Sequence, residues 1–137
     1  MPTFRTLRCA NAQLYIGATL MVLAAAIYVL CSKDTLWQQI AAAAAIIITP
    51  VWAAHYAVLR ITVDTTGVTR RAITGTTRLT WSNLNSATLR ETSTPGTESC
   101  NIDLCAGESR ITISSDLFPL EEVQELAKEL KECNLLH

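Results

Sequence analysis

Two apolar runs, Leu14 to Cys31 and Ile40 to Leu59, constrain this chain more than any other feature. At 1.5 Å rise per residue they give helices of about 27 and 30 Å, close to the ~30 Å hydrocarbon core of a bilayer. The segment between them is short and includes Ser32, Lys33, Asp34 and Thr35. A link of this kind makes the two helices antiparallel neighbours. The first run is longer than the roughly 7 to 15 residues of a signal-peptide core, and a second span follows at once. Leu30, ahead of Cys31, is too large for a lipoprotein-type cleavage site, so the first run reads as a retained helix.

Positive residues give an orientation. Arg5 and Arg8 flank one end of the hairpin, Arg60, Arg70 and Arg71 follow the other, and Lys33 alone lies in the link. By the positive-inside rule both termini are expected in the cytoplasm. Tyr15 and Tyr56 are then expected as anchors at the inner interface, with Tyr28 and Trp37 at the outer one. Small residues (Gly17, Ala18, Ala24 to Ala26, Ala41 to Ala45) offer faces for close helix approach, within the hairpin or between copies. Pro50 removes a backbone donor and predicts a kink, while His55 reads as an interfacial histidine rather than an intramembrane proton group.

Beyond Leu59 the pattern changes from helical to alternating. Leu59, Ile61 and Val63 share one face and Arg60, Thr62 and Asp64 the other, which predicts a half-buried strand. Thr65 to Gly67 form a turn, with Gly67 expected to supply φ freedom. Further strands are predicted at Val68 to Ile73, Thr77 to Trp81, Ser86 to Thr92, Cys100 to Cys105 and Ser109 to Ser114, six in all with the first. Ser93 to Ser99, around Pro95-Gly96, reads as a mobile loop. A closing helix after Pro119 carries an apolar stripe of Leu120, Val123, Leu126, Ala127, Leu130 and Cys133, and an acidic face read as solvated surface.

The net charge of −1 argues against nucleic acid as a partner, since such proteins carry a clustered basic surface. Five cysteines without a repeated CxxC spacing or a nearby histidine predict neither a disulfide framework nor a zinc site. They read as small buried hydrophobes, with Cys100 and Cys105 on opposite faces of one strand. No nucleophile-base pair, carboxylate pair or glycine-rich phosphate loop is present, so neither an enzyme nor a cofactor is expected. Arg60, Arg70, Arg71 and Arg78 are the candidate contacts to lipid headgroups.

Two spans, a strand, the Asp64-Thr65-Thr66-Gly67-Val68 turn, a strand ending Leu79-Thr80-Trp81-Ser82-Asn83-Leu84, more hairpins and a closing helix form an order of elements. It resembles small bacterial membrane proteins with a pleckstrin-homology-like (PH-like) domain. The resemblance implies a membrane hairpin plus an α+β domain. That domain would be a strongly bent antiparallel sheet, or partly open barrel, of six to seven strands capped by a C-terminal helix. It also implies a surface for protein or lipid contacts and no catalytic centre. Phosphoinositide-binding members place basic residues around the first hairpin turn, and here that turn is Thr65-Thr66-Gly67. The expected organisation is a cytoplasmic segment at 1–13, the hairpin at 14–59 and the PH-like domain at 60–134. The expected function is a non-catalytic interaction module, an accessory or scaffold subunit at the bacterial inner membrane with a membrane or cytoplasmic protein partner. The alternatives are binding of anionic headgroups in the lipid bilayer and a small homo-oligomerising subunit of a larger complex.

Overall fold

The computed structural model describes residues 2–32 and 35–136, so Lys33 and Asp34 of the predicted link lie outside the described residues. The chain forms two compact units. One is Asn11–Val58, and the other joins Met1–Ala10 to Leu59–His137.

The helical unit consists of α1 (Ala12–Cys31) and α2 (Leu36–Val58). Both are long and apolar enough to cross a membrane, and only 6% of the most apolar window in each is buried. A core helix of a soluble protein would be mostly covered. Here Leu20, Met21, Ile47 and Val51 point outward, while Ala26 and Ala42 are buried. Of the small residues, Ala26 and Ala42 are the buried ones, while Gly17, Ala18, Ala24, Ala25, Ala41, Ala43 and Ala44 are exposed; a small side chain at a helix contact allows close backbone approach. The Thr19 and Thr49 hydroxyls donate back to the carbonyls of Tyr15 (2.7 Å) and Ala45 (2.5 Å), so neither leaves a polar group unsatisfied. Helix α2 continues through Pro50 without interruption.

Among its described residues the second unit contains seven strands rather than the six predicted. The extra one, β1 (Arg5–Arg8), precedes the helical hairpin in the chain and pairs antiparallel with β2 (Arg60–Val63), which follows it. The order continues with β3 (Gly67–Ala72) and β4 (Gly75–Thr80), giving a four-stranded antiparallel sheet β1-β2-β3-β4. A short 3-10 turn at Trp81–Asn83 follows. A second antiparallel sheet is built from β5 (Ser86–Thr94), β6 (Thr97–Ala106) and β7 (Ser109–Ser114). Among the described residues, two sheets of four and three strands, with no closed barrel, therefore replace the single bent sheet anticipated.

Three local features differ from expectation for identifiable reasons. Ser93 to Ser99 is not an open loop: β5 and β6 stay paired up to Thr94 and Thr97, leaving only Pro95-Gly96 as the turn. Proline fixes φ at the first turn position and Gly96 takes φ +85° at the second, the combination a type II turn requires. Trp81 leaves the strand because its indole Nε1 donates to the Asp64 carbonyl (2.9 Å) and its backbone N–H to the Thr66 carbonyl (3.1 Å). Gly67 does not adopt positive φ; a Cβ there would lie 2.0 Å from the Leu79 carbonyl oxygen, so close passage of β4 is what requires glycine.

The core lies between the sheets and the final helix α3 (Leu120–Glu132). Leu7, Ile61, Val63, Val68 and Leu79 come from the first sheet, and Cys100, Ile102, Leu104, Ile111 and Ile113 from the second. Val123, Leu126, Ala127 and Leu130 close it from α3, as the apolar stripe predicts. Burying the three larger of these side chains contributes roughly 5–9 kcal/mol before entropy is subtracted. Leu120 and Cys133, at the ends of the stripe, are only half-buried. Pro119 occupies the N-cap position, and Asn134, with φ 56°, ends the helix in the left-handed region.

The acidic face of α3 is not simply solvated. Glu129 accepts from the Arg5 guanidinium (2.6 Å) and from the Thr3 hydroxyl (3.1 Å), and Glu125 also accepts from Arg5 (3.2 Å). With the Ala10 N–H bonded to the Leu117 carbonyl (2.9 Å), these contacts fix both ends of β1 in the module.

Candidate functional site

Register decides which arginines act together. Arg8 on β1 is the cross-strand partner of Arg60 on β2, and Arg60 is the partner of Arg71 on β3. Side chains directly across antiparallel strands share a face, so these three form one row along the sheet's outer face. The face is established by the alternation: Leu7, Ile61 and Ala72 point to the core, and the exposed Arg8, Arg60 and Arg71 point away. Thr6, Thr62, Thr69 and Arg78 form the next row.

Among the described residues, no carboxylate lies within ion-pair distance of Arg8, Arg60 or Arg71. Two neighbouring cations about 6 Å apart repel by about 0.7 kcal/mol in a water-like dielectric. An anion bound across the row removes that cost and gains charge-assisted hydrogen bonds.

Of the four arginines expected to act together, the structure brings only Arg60 and Arg71 into one row. Arg70 lies opposite Ile61 on the core-facing side and is half-buried. Arg78 is on the outer face but is turned to the β2–β3 turn, donating to the Thr66 hydroxyl (2.8 Å) and lying 3.9 Å from the Asp64 carboxylate. Arg8, read only as an orientation signal, completes the row. The sequence signal for it, Arg5-Thr6-Leu7-Arg8, is a four-residue alternation with one apolar member. Its partner strand begins only after the two apolar helices.

Asp64 organises the β2–β3 turn. Its Oδ1 accepts from the Thr66 hydroxyl (2.6 Å), the Thr66 N–H (2.7 Å) and the Gly67 N–H (2.9 Å). These bonds, led by the Thr66 hydroxyl and assisted by the Arg78 charge, hold its carboxyl below the ordinary range. The turn is neutralised and internally bonded, which makes it a structural element.

On the second sheet, Asp103 is almost fully buried and bonded to the Thr112 hydroxyl (2.6 Å), with Arg110 at 3.0 Å. The Thr112 bond first, then Arg110, holds its carboxyl low. Cys100 is buried in the core and its thiol is pushed up chiefly by burial, which makes it a poor nucleophile. Cys105, on the other face of the strand, is half-buried. Among the described residues, no group of three His, Cys, Asp or Glu side chains could hold a metal ion. A cleft of about 730 Å³ opens beside Arg78, Ser82, Asn83, Asn85 and Ser109. It contains no acid-base pair.

Within the helical unit, Tyr15 on α1 and Tyr56 on α2 are in direct contact. Their rings stack at 4.2 Å between centroids and 12° between planes, across the two helices at the end where the chain enters and leaves. His55 meets the edge of Tyr56 at 5.5 Å. Tyr28 and Trp37, towards the other end, are exposed over three quarters of their surface. No protein-family model, curated protein or solved structure matches the chain.

Proposed function

We propose that this chain is a non-catalytic, membrane-anchored interaction module. Its helical hairpin spans a bacterial inner membrane, and its β-unit engages anionic lipid headgroups on the cytoplasmic side. The observation that carries the reading is the unneutralised row Arg8–Arg60–Arg71. Only Leu59 separates Arg60 from α2, and Cys9 to Asn11 separate Arg8 from α1. Even a fully extended chain keeps Arg60 within about 7 Å and Arg8 within about 14 Å of the helix ends. That is headgroup depth when the helices span, where each Arg gains about 1 kcal/mol from an anionic leaflet.

Two further points support the account. Pairing of β1 with β2 requires the segments before α1 and after α2 to lie on one side of the bilayer, and their arginines favour the cytoplasmic side. Seven antiparallel strands followed by one helix also agree in number and order with the six to seven strands and closing helix that the PH-like resemblance implies, although they form two sheets rather than one. The headgroups are read on the outer sheet face at the hairpin junction, rather than at the Asp64–Gly67 turn.

The full chain purified from bilayers containing equal parts phosphatidylglycerol and phosphatidylcholine tests this by native mass spectrometry. Retention of phosphatidylglycerol in preference to phosphatidylcholine is expected, and loss of that preference in an Arg8→Gln, Arg60→Gln, Arg71→Gln variant. An unchanged preference in the variant would refute the reading. A second reading, contact with a protein partner, has its own observation. β5 is an edge strand of nine residues exposed from Arg90 onward, onto which an extended segment can add by backbone pairing.

A further inference from the structure

The arginine row lies beside an apolar tip that the turn itself does not require. The β3–β4 connection is Ile73-Thr74, between the paired residues Ala72 and Gly75. Two-residue turns favour Gly, Asn or Asp, whereas this one places two β-branched residues there. The geometry is met instead by Gly75, which takes φ +137° while Ile73 and Thr74 keep negative φ. Turn chemistry therefore gives no reason for isoleucine, and packing gives none, since Ile73 is 49% exposed. In the β-unit only Phe4 and Ile73 are exposed large hydrophobics among the described residues. Phe4 precedes β1, at the end of that strand remote from Arg8.

Ile73 is at the other end of the sheet. Arg60 is opposite Arg71, so one further step of the same register sets Leu59 opposite Ala72, and both are core residues. Ile73 is the next residue. Its Cα is thus about one strand spacing and one residue rise, near 6 Å, from Leu59, which is bonded directly to the last residue of α2. Backbone connectivity alone keeps the tip close to the point where the chain leaves the helix.

We infer that the β3–β4 tip is a third membrane contact of this chain: Ile73 enters the boundary between headgroups and acyl chains beside the phosphates held by Arg8, Arg60 and Arg71. The inference rests on the bilayer reading above and adds an apolar anchor to it. An apolar side chain flanked by arginines is suited to that boundary, where the ring or alkyl group reaches acyl carbons and the guanidinium stays at phosphate depth. The tip and the two helix junctions give three attachment points, which fix how the β-unit is oriented on the surface. A module held by the two junctions alone can still tilt.

An environment-sensitive fluorescent amino acid encoded at position 73 of the full chain, in phosphatidylglycerol-containing nanodiscs with a doxyl quencher near the top of the acyl chain, tests the inference. A second probe at position 94, beside the β5–β6 turn, is the reference. Quenching several-fold stronger at 73 than at 94 is expected. Equal and weak quenching at both positions, with phosphatidylglycerol still preferentially retained, would overturn insertion while leaving the headgroup reading intact. Strong quenching at 73 with no preference for anionic lipid would support insertion and remove the headgroup reading. An Ile73→Asp variant of unchanged helix content keeps the test independent of the probe. It should raise hydrogen exchange at Ala72 to Thr76 several-fold in nanodiscs and leave it unchanged in detergent, and an equal effect in both media would contradict insertion.

Discussion

Gly67 and Asp64 show how little freedom the β2–β3 turn has. A methyl group at Gly67 would meet the Leu79 carbonyl far inside contact distance, and the obstacle is backbone rather than a movable side chain. Gly67→Ala should therefore cost about 1–3 kcal/mol, the range for overpacking that forces backbone shifts, measured by pulse proteolysis of the full chain in detergent. Asp64 and Asp103 both have lowered carboxyl pKa values. A depressed folded value contributes stability above the unfolded pKa of about 3.9, and that contribution is lost as pH falls through the lower folded value. The β-unit should accordingly lose stability below about pH 4. Asp64→Asn should flatten the acid dependence; an unchanged profile in both Asp64→Asn and Asp103→Asn would show that other groups control it.

At the scale of elements, β1 is the part whose removal has the widest effect. Its one core residue, Leu7, is completely buried, and its Arg5 is held by Glu125 and Glu129 on α3. Leu7→Ala should cost about 2–5 kcal/mol through the cavity it leaves. Arg5→Ala should cost about 1.5–3 kcal/mol for the lost charge-assisted bonds, both read by the same proteolysis assay. Most strands and α3 are legible in the sequence because alternation at Ile61/Val63, Ile102/Leu104 and Ile111/Ile113 and the stripe Val123 to Leu130 are strong local patterns. β1 is not legible, since four residues with a single apolar position give no periodicity and their partner lies beyond the two helices. Without β1 the row of three arginines cannot be assembled, and four nearby arginines look equivalent. Pairing then separates Arg70 by face and Arg78 by its bonds to the turn. Gly67 was likewise readable as special, though only the passage of β4 shows why.

For the molecule as a whole, two apolar helices are inserted in the chain between paired strands, so the helical unit joins the β-unit through two connections that lead to neighbouring strands. Leu59 passes from α2 into β2 with no linker, and the Ala10 N–H bond to Leu117 holds the other connection. The four-residue strand before the hairpin is part of the folded β-unit, so expressing residues 60–134 alone should give a protein with an exposed β2 edge that self-associates, as checked by light scattering. Restoring residues 2–10 through a short linker to Leu59 should return it to a monomer. The central claim, that the arginine row meets anionic headgroups, is tested most directly by hydrogen exchange of the full chain in phosphatidylglycerol and phosphatidylcholine nanodiscs. The account predicts slower exchange across Arg60 to Ala72 in phosphatidylglycerol, abolished in the Arg8→Gln, Arg60→Gln, Arg71→Gln variant. Identical exchange of the wild-type chain in the two lipids would contradict it.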